Sequence, residues 1–336
     1  MKKVLLCLLC IIALSGCDNK SSNNIISELS NKIEKSKAYT YNGIMEIQND
    51  EEVFEYNIDV SFKKDSNYIV RMTNKSNNHE QIILKNKEGL YVITPSLNKS
   101  YKFESTWPDN SSQAYILSSI IKDIKDDKNA TVDTNDEYYI IKSTVNYPNN
   151  KELTYQKVYI DKEYNINKIE VYSDADIVKI TVVINNIDLK SNIDDDEFEL
   201  NKYIKNECNS EDCKTEKTFS KLDNPIYPLY MPSNTYLTSS EHVDSETDSR
   251  IILTFSGDKN FVIVEENAAM NEEHEIIPVY GEPVMLSDTI GALSTNSMYW
   301  TSNDIDYYMI SNDLTISEMV FIATSLTNSK TTIAEK

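Results

Sequence analysis

A single cysteine near the start of the chain belongs to its clearest chemical motif. Two lysines precede an apolar stretch, residues 4–14, which ends in Leu-Ser-Gly followed by Cys17. The 11 residues of this stretch are too few for a membrane-spanning helix, which needs roughly 20 residues. The pattern is typical of a bacterial lipoprotein signal, in which the cysteine thiol receives a diacylglycerol through a thioether bond.

The expected lipid on Cys17 predicts where the mature chain resides. Cleavage before this residue removes the signal peptide, residues 1–16. Two acyl chains then form a stable anchor, because each buried CH2 contributes about 0.8 kcal/mol. We expect a lipid-anchored protein on the extracytoplasmic face of the cell membrane. The alternative is an ordinary secretory signal in which Cys17 is incidental.

Two other cysteines, Cys208 and Cys213, remain in the mature chain. Either a small disulfide loop or two free thiols in a flexible segment fits their spacing. A zinc site would need two more ligands, and no other cysteine or histidine lies close by in sequence. The acidic run Asp194–Glu197 lacks the spacing and the glycine of an EF-hand, which favours a solvated turn. The sequence therefore predicts no metal site.

The histidines predict no catalytic centre. His79, His242 and His274 are far apart in sequence, and none lies in a recognisable motif. The chain has no Gly-x-Ser-x-Gly elbow, no His-Glu-x-x-His and no phosphate-binding glycine loop. These absences argue against the motif-marked enzymes, so we expect no catalytic residue and no cofactor. A hydrolase with an unfamiliar site stays open as an alternative.

The charge of the chain excludes one class of partner. The formal net charge is −21, and removal of residues 1–16 makes it −23 because two lysines and no acid are lost. Such a surface repels nucleic acids and anionic headgroups. We expect no nucleic-acid partner, and attachment to a membrane must depend on the lipid.

Composition and patterning divide the mature chain into two predicted domains. The chain exceeds the usual size of one domain. Residues 17–24 form a polar tether, 25–201 a first domain, 202–224 a polar linker, 225–327 a smaller second domain and 328–336 a tail.

The first domain is expected to combine one large antiparallel sheet with helices. Apolar residues at helical spacing predict helices near residues 25–33 and 116–124. Strict alternation over residues 54–62 predicts a strand with one buried face. Helices that cross such a sheet leave an apolar groove for an acyl chain or a partner segment, or else the space is packed core. The candidate groove-lining residues are Phe54, Tyr56, Ile58, Val60, Phe62 and Trp107.

The second domain is predicted to be a small α+β unit. Strands over residues 250–255 and 260–265 flank a turn that contains Gly257, a good hairpin signal. Further strand-like runs follow, including residues 275–280. Thr315 and Glu318 form a capping box, which predicts a final helix.

The first domain resembles the LolA-like lipoprotein-carrier superfamily, and more closely the Gram-positive sporulation and germination lipoproteins of the GerS kind. The resemblance covers residues 24–200. It depends on the lipobox, the early helix, the segments 158–161, 166–172 and 177–189, and the closing Ile193-Asp194 and Phe198. It implies an α+β fold, with an unclosed antiparallel β-barrel under a helical lid.

The same resemblance implies a function. Membrane-tethered relatives look like non-enzymatic partners of another envelope protein, in spores a peptidoglycan amidase. We expect a lipoprotein that binds a protein partner in sporulation or germination. The alternative is a carrier or sensor of lipid or lipoprotein acyl chains that uses the groove.

Overall fold

The structure is a computed structural model, and it covers most of the two predicted domains. The predicted signal peptide, Cys17, the Cys208–Cys213 pair and the tail lie outside the described residues. The residues that it describes are 21–49, 52–204, 222, 224–244, 249–269 and 273–327.

The described residues form three α-helices and 19 strands. The helices are α1 (Ser22–Glu34), α2 (Leu117–Asp126) and α3 (Ile316–Thr327). The strands before α2 are β1 (Ala38–Asn49), β2 (Glu52–Lys63), β3 (Asn67–Asn74), β4 (Glu80–Asn86), β5 (Gly89–Thr94) and β6 (Lys99–Phe103). The next are β7 (Thr131–Thr134), β8 (Tyr139–Thr144), β9 (Leu153–Ile160), β10 (Ile166–Ser173) and β11 (Val178–Asp188). The last are β12 (Thr235–Asp244), β13 (Ser249–Gly257), β14 (Phe261–Asn267), β15 (Glu275–Val279), β16 (Gly281–Met285), β17 (Ile290–Ser294), β18 (Ser297–Ser302) and β19 (Ile305–Ser311).

A sheet of 12 strands dominates the first half of the molecule. Its order is β15-β6-β5-β4-β3-β2-β1-β11-β10-β9-β8-β7, so β15 and β7 are separate edges and the sheet does not close. The strands from β1 to β11 pair in antiparallel fashion. This confirms the predicted unclosed, largely antiparallel sheet, and the described residues are mostly β with few helices where an α+β fold was expected.

The predicted alternation in β2 is confirmed. Tyr56, Ile58 and Val60 are buried, whereas Asn57 and Asp59 between them are exposed. Successive side chains of a strand point to opposite faces, so one face of β2 contacts the core and the other contacts solvent.

Helices α1 and α2 pack against the buried face of this sheet. Ile25 and Leu29 of α1 and Ile120 and Ile121 of α2 join the same apolar core cluster as Ile58 of β2. Both helices have an apolar stripe at helical spacing, and burial of that stripe stabilises a helix that would be marginal alone. The space between the two helices and the sheet is filled by side chains.

The second sheet has seven strands in the order β12-β13-β14-β19-β18-β17-β16. Helix α3 packs on it, and its Met319 and Ile322 share a core cluster with Trp300 of β18. The predicted capping box is confirmed. The Thr315 N–H donates to Glu318 Oε2 at 2.7 Å, and the Glu318 N–H donates to Thr315 Oγ1 at 3.3 Å.

One strand of the second half belongs to the first sheet. Strand β15 pairs with β6 in parallel, from Glu275 opposite Lys99 to Val279 opposite Phe103. The strand itself is confirmed, but its expected place among the hairpins of the second domain is wrong. Residue alternation indicates a strand without identifying its neighbour. This pairing ties the two sheets together.

No helix within the described ranges is long and apolar enough to cross a membrane.

Candidate binding cavity between the two sheets

The six predicted groove residues lie in or against the core of the first sheet. Tyr56, Ile58, Val60 and Trp107 are each at most 3% exposed, and Phe54 and Phe62 pack against the same core cluster. None of the six lines the open cavity described below. A ligand-binding role for these residues therefore stays a prediction.

Aromatic contacts fill the space around Trp107. Tyr68 meets the Trp107 ring edge to face, with centroids 5.9 Å apart, and Phe62 lies 5.0 Å from Tyr68 and 4.8 Å from Tyr39. Such pairs add about 0.5–1.5 kcal/mol to the free energy gained by area burial. This end of the sheet is thus closed by packing.

A cluster of three hydrogen-bonded polar side chains lies between α2 and the sheet. The Gln156 side-chain amide donates to Asp123 Oδ2 at 3.4 Å and to Ser143 Oγ at 3.2 Å. Burial raises the pKa of Asp123 to about 6, and a hydrogen bond from Ser112 opposes this rise. These contacts orient α2 on the sheet.

An open cavity lies where the first sheet meets the second sheet and α3. It has a volume of about 180 Å3. Its lining is apolar along the floor and mostly polar at the rim. Floor residues from the first half are Met45, Ile47, Ile83, Tyr115, Leu153 and Ile180, and those from the second half are Val284, Met285, Leu286, Ile290, Val320 and Phe321. Rim residues include Gln48, Asn49, Gln113, Asn149, Glu152 and Lys179.

A buried glutamine holds the two walls of the cavity together. Gln81 in β4 is 5% exposed, and its Oε1 accepts hydrogen bonds from the Ile290 N–H at 2.6 Å and the Thr289 hydroxyl at 3.1 Å. Its Nε2 donates to the Ile290 carbonyl oxygen at 3.4 Å. One side chain of the first sheet therefore satisfies three groups of Thr289 and Ile290, where β17 begins.

A tyrosine adds a second link to that segment. The Tyr56 hydroxyl donates to the Ser287 carbonyl oxygen at 2.7 Å, and Tyr56 is 3% exposed. Burial raises the pKa of Tyr56 well above its usual value, so the hydroxyl stays a donor. The predicted groove residue Tyr56 thus acts in this contact between the two halves.

Asp288 is a buried carboxyl in the same segment. Ser302 Oγ donates to its Oδ2, and its Oδ1 has no hydrogen-bond partner among the described residues. Burial raises the pKa of Asp288 to about 6, while the Ser302 bond lowers it. Protonation at lower pH removes the cost of burying its charge.

Polar contacts also join the halves around the cavity. Lys99 pairs with Asp306 at 3.1 Å, and Asn110 donates to Glu282. Ser100 Oγ lies 3.0 Å from His274 Nε2, and burial lowers the pKa of His274. Ser100 is fully buried and His274 is partly exposed.

The size of the cavity limits what it can hold. Sites that enclose a drug-sized ligand measure about 300–1,000 Å3, and a 150 Å3 apolar cavity is known to hold one benzene molecule. At about 180 Å3, the cavity matches one or two apolar side chains and is too small to enclose a long acyl chain. Among the described residues there is no cluster of three potential metal ligands.

The sequence reasoning missed the residues that build this cavity. Gln81 begins the run Gln-Ile-Ile-Leu, and a polar residue before three buried aliphatic residues was the available signal. Nothing in the alternation of β1 or β16 separates side chains that line a cavity from side chains that fill a core.

Sequence comparison identifies the family. The family of YdcC-like sporulation proteins matches residues 1–198. Sporulation protein YdcC of Bacillus subtilis (strain 168) is 32% identical over 320 residues, which cover 95% of this chain and 94% of the relative.

Two solved structures are similar to about half of this chain. A LolA superfamily protein from Nitrosomonas europaea is 14% identical, with 54% of this chain and 99% of that chain covered and a TM-score of 0.33. The CwlD amidase from Clostridioides difficile in complex with the GerS lipoprotein is 15% identical, with 49% and 94% covered and a TM-score of 0.23. The family match and the 32% identity confirm the predicted relation to sporulation proteins, and the chain belongs to the YdcC-like sporulation protein family.

Proposed function

We propose that this sporulation-family protein is a non-catalytic lipoprotein that binds a protein partner at the cell envelope. The cavity between the two sheets is the proposed receptor for an apolar anchor side chain of that partner. The observation that supports this most is the combination of an apolar floor, a polar rim and a volume near 180 Å3. Protein interfaces commonly place one anchor residue in such a pocket and surround it with polar contacts.

The proposal assigns a role to each half of the fold. Helices α1 and α2 act as a fixed lid over the unclosed barrel, and the second half forms a small α+β domain that completes the cavity. Because the space beneath the lid is filled, the partner meets the cavity at the junction and does not enter the barrel.

The proposed location depends on lipid attachment at Cys17. A lipid anchor there would hold the protein on the extracytoplasmic face of the membrane. We expect Cys17→Ala to release the chain from the membrane fraction of cells. Persistence of the variant in that fraction would contradict anchoring through this residue.

The partner class that we propose is a peptidoglycan amidase, as the resemblance to GerS-type lipoproteins implies. The competing function is transport or sensing of an acyl chain. That function would require a larger apolar space than the cavity offers, or displacement of the packed residues around Ile58.

Filling the cavity tests the proposal. Met285 lines the cavity, and Met285→Trp should occupy it and abolish recovery of a stoichiometric envelope protein with the anchored chain from sporulating cells. Ile177→Trp is the matched control, because Ile177 is 48% exposed and lies outside the cavity. Recovery of bound lipid without protein, unchanged by Met285→Trp, would overturn the proposal in favour of a carrier.

A further inference from the structure

A second concavity, away from the cavity between the sheets, is lined by four lysines. It measures about 470 Å3 and lies where the end of α1, the start of β1 and the segment after β11 meet. The lysines are Lys32, Lys35, Lys37 and Lys190, and we call this hollow the lysine concavity. The other lining residues are Ser36, Ala38, Leu189 and Ser191.

Three of the four lysines have no carboxylate partner. Lys35, Lys37 and Lys190 are exposed and have no ion pair in the described ranges. Lys32 Nζ donates to the Glu163 carbonyl oxygen at 2.7 Å and to Asn165 Oδ1 at 2.6 Å, and its charge also interacts with the Asp161 carboxylate. The chain has 54 acidic and 33 basic residues, so four lysines around one hollow stand out from the general charge.

The backbone around the lysines is fixed by hydrogen bonds. Ser36 Oγ lies 2.9 Å from the Ala38 carbonyl oxygen and 2.7 Å from that of Leu189, which joins the start of β1 to the end of β11. Thr40 Oγ1 contacts Ser191 Oγ at 2.7 Å, and the Lys64 N–H donates to the Lys37 carbonyl oxygen at 2.8 Å. The long side chains stay flexible, whereas the positions from which they extend are defined.

A purely structural role explains only part of the cluster. Lys32 lies in the last turn of α1 and Lys35 at its C-cap, where a cation complements the negative end of the helix dipole. Lys37 and Lys190 lie outside the helix, so the dipole does not account for them. Lys35, Lys37 and Lys190 line one hollow without an ion pair, an arrangement that suits a ligand of negative charge.

We propose that the lysine concavity binds a phosphate-bearing anion. Lysine ammonium groups are compact point charges with three donors, suited to phosphate oxygens approached from several directions. The net charge of −21 repels anions at long range, so binding depends on contacts within the hollow and weakens with salt. The phosphate could belong to a lipid headgroup or to a soluble phosphate ester. The site shares no lining residue with the cavity of the proposed function, and the two proposals fail independently.

The test compares two triple variants of the full mature chain that also carry Cys17→Ala. The first variant reverses three charges of the concavity and carries Lys35→Glu, Lys37→Glu and Lys190→Glu. The control variant makes the same charge change at exposed lysines elsewhere and carries Lys87→Glu, Lys128→Glu and Lys151→Glu. Binding of glycerol phosphate is followed by NMR titration, and binding to phosphatidylglycerol and phosphatidylcholine vesicles by flotation. We expect the concavity variant to bind at least tenfold more weakly than the control variant.

The two probes separate the sources of the phosphate. Binding to phosphatidylglycerol vesicles without binding to glycerol phosphate supports a lipid headgroup, and binding to glycerol phosphate supports a soluble phosphate ester. In either case the affinity should fall as salt is raised. Absence of binding to both probes, or equal weakening by the two triple variants, would overturn the proposal.

Discussion

Two apolar spaces in this molecule are built from the same strand and yet differ in kind. The first half of β1 faces the helices, and Tyr39 and Tyr41 are buried in the same core cluster as the apolar residues of α1 and α2. The second half of β1 supplies Met45 and Ile47 to the cavity between the sheets. One space is filled by packed side chains and the other is open.

The difference shows that apolar character does not by itself make a binding site. Helices α1 and α2 bring enough side chains to fill the first space. The second space is bounded by two sheets and α3, and hydrogen bonds from Gln81 and Tyr56 to residues 287–290 fix the position of one wall relative to the other. Walls that are fixed by polar links do not collapse onto one another, so the space between them stays open.

The largest expected effect is a difference in the free energy of unfolding between substitutions in the filled space and in the open cavity. Ile58→Ala removes a side chain that is 1% exposed in the filled space, and it should lower the free energy of unfolding by about 2–5 kcal/mol. Ile47→Ala, at the half-buried wall of the open cavity, should cost clearly less. Chemical denaturation of both variants measures the difference, and equal losses would contradict the distinction.

Loss of the glutamine link should disturb the open cavity next. Gln81→Ala leaves the buried Ile290 N–H and the Thr289 hydroxyl without their acceptor, at about 1–3 kcal/mol for each unsatisfied group. Hydrogen exchange should accelerate at residues 289–290 while residues of α1 stay protected. Gln48→Ala, at the exposed rim, is the control and should leave exchange unchanged. Uniform acceleration over the whole chain would argue against a local link.

Asp288 should make the junction sensitive to pH. Its pKa is raised to about 6 in the folded state against roughly 3.8 for an ordinary aspartate, so the folded protein binds the proton more tightly. The resulting stability is present below pH 4 and is lost as the pH rises through 6, on the order of 3 kcal/mol in total. Relative to the parent, Asp288→Asn should therefore gain stability between pH 4 and pH 7. Parallel stability curves for the two proteins would refute this assignment.

The smallest expected effect concerns the helix that forms one wall of the cavity. Thr315→Ala removes the cap of α3 and should cost about 1 kcal/mol, because the Glu318 N–H loses its acceptor. The melting temperature should fall slightly while the core around Ile58 is unaffected. Thr315→Ser retains the hydroxyl and should keep the stability of the parent. A loss as large as that of Thr315→Ala would show that the hydroxyl does not stabilise α3.

Local patterns in the sequence predicted many elements of the fold. The alternation of β2, the apolar stripe of α2, the hairpin at Gly257 and the capping box at Thr315 all depend on neighbouring residues. Each has a period or a short motif that a reader of the sequence can recognise.

Strand β1 was missed for a physical reason. The residues on its inward face, positions 39, 41, 43, 45 and 47, read Tyr, Tyr, Gly, Met and Ile, and Gly43 interrupts the apolar alternation. A Cβ at Gly43 would lie 2.2 Å from the Val183 carbonyl oxygen of β11, where the register of the two strands shifts. The need for glycine comes from the neighbouring strand and is invisible in the local sequence.

The cavity between the two sheets could not be predicted because it depends on contacts between distant segments. Gln81 and Ile290 are separated by more than 200 positions in the chain, and β15 joins β6 in parallel after a similar separation. Periodicity identifies the strands but carries no information about such pairings. The alternation that suggested the candidates in residues 54–62 predicts an inward-facing side chain, and core and cavity positions share that property.

Photocrosslinking at two phenylalanines tests the central claim most directly. Benzoylphenylalanine replaces Phe321, which lines the open cavity, or Phe54, which packs against the filled core. Each anchored variant is irradiated in sporulating cells and its adducts are identified by mass spectrometry. We predict a protein adduct at position 321 and none at position 54. Acyl-chain adducts at position 54, with no protein adduct at position 321, would contradict the account.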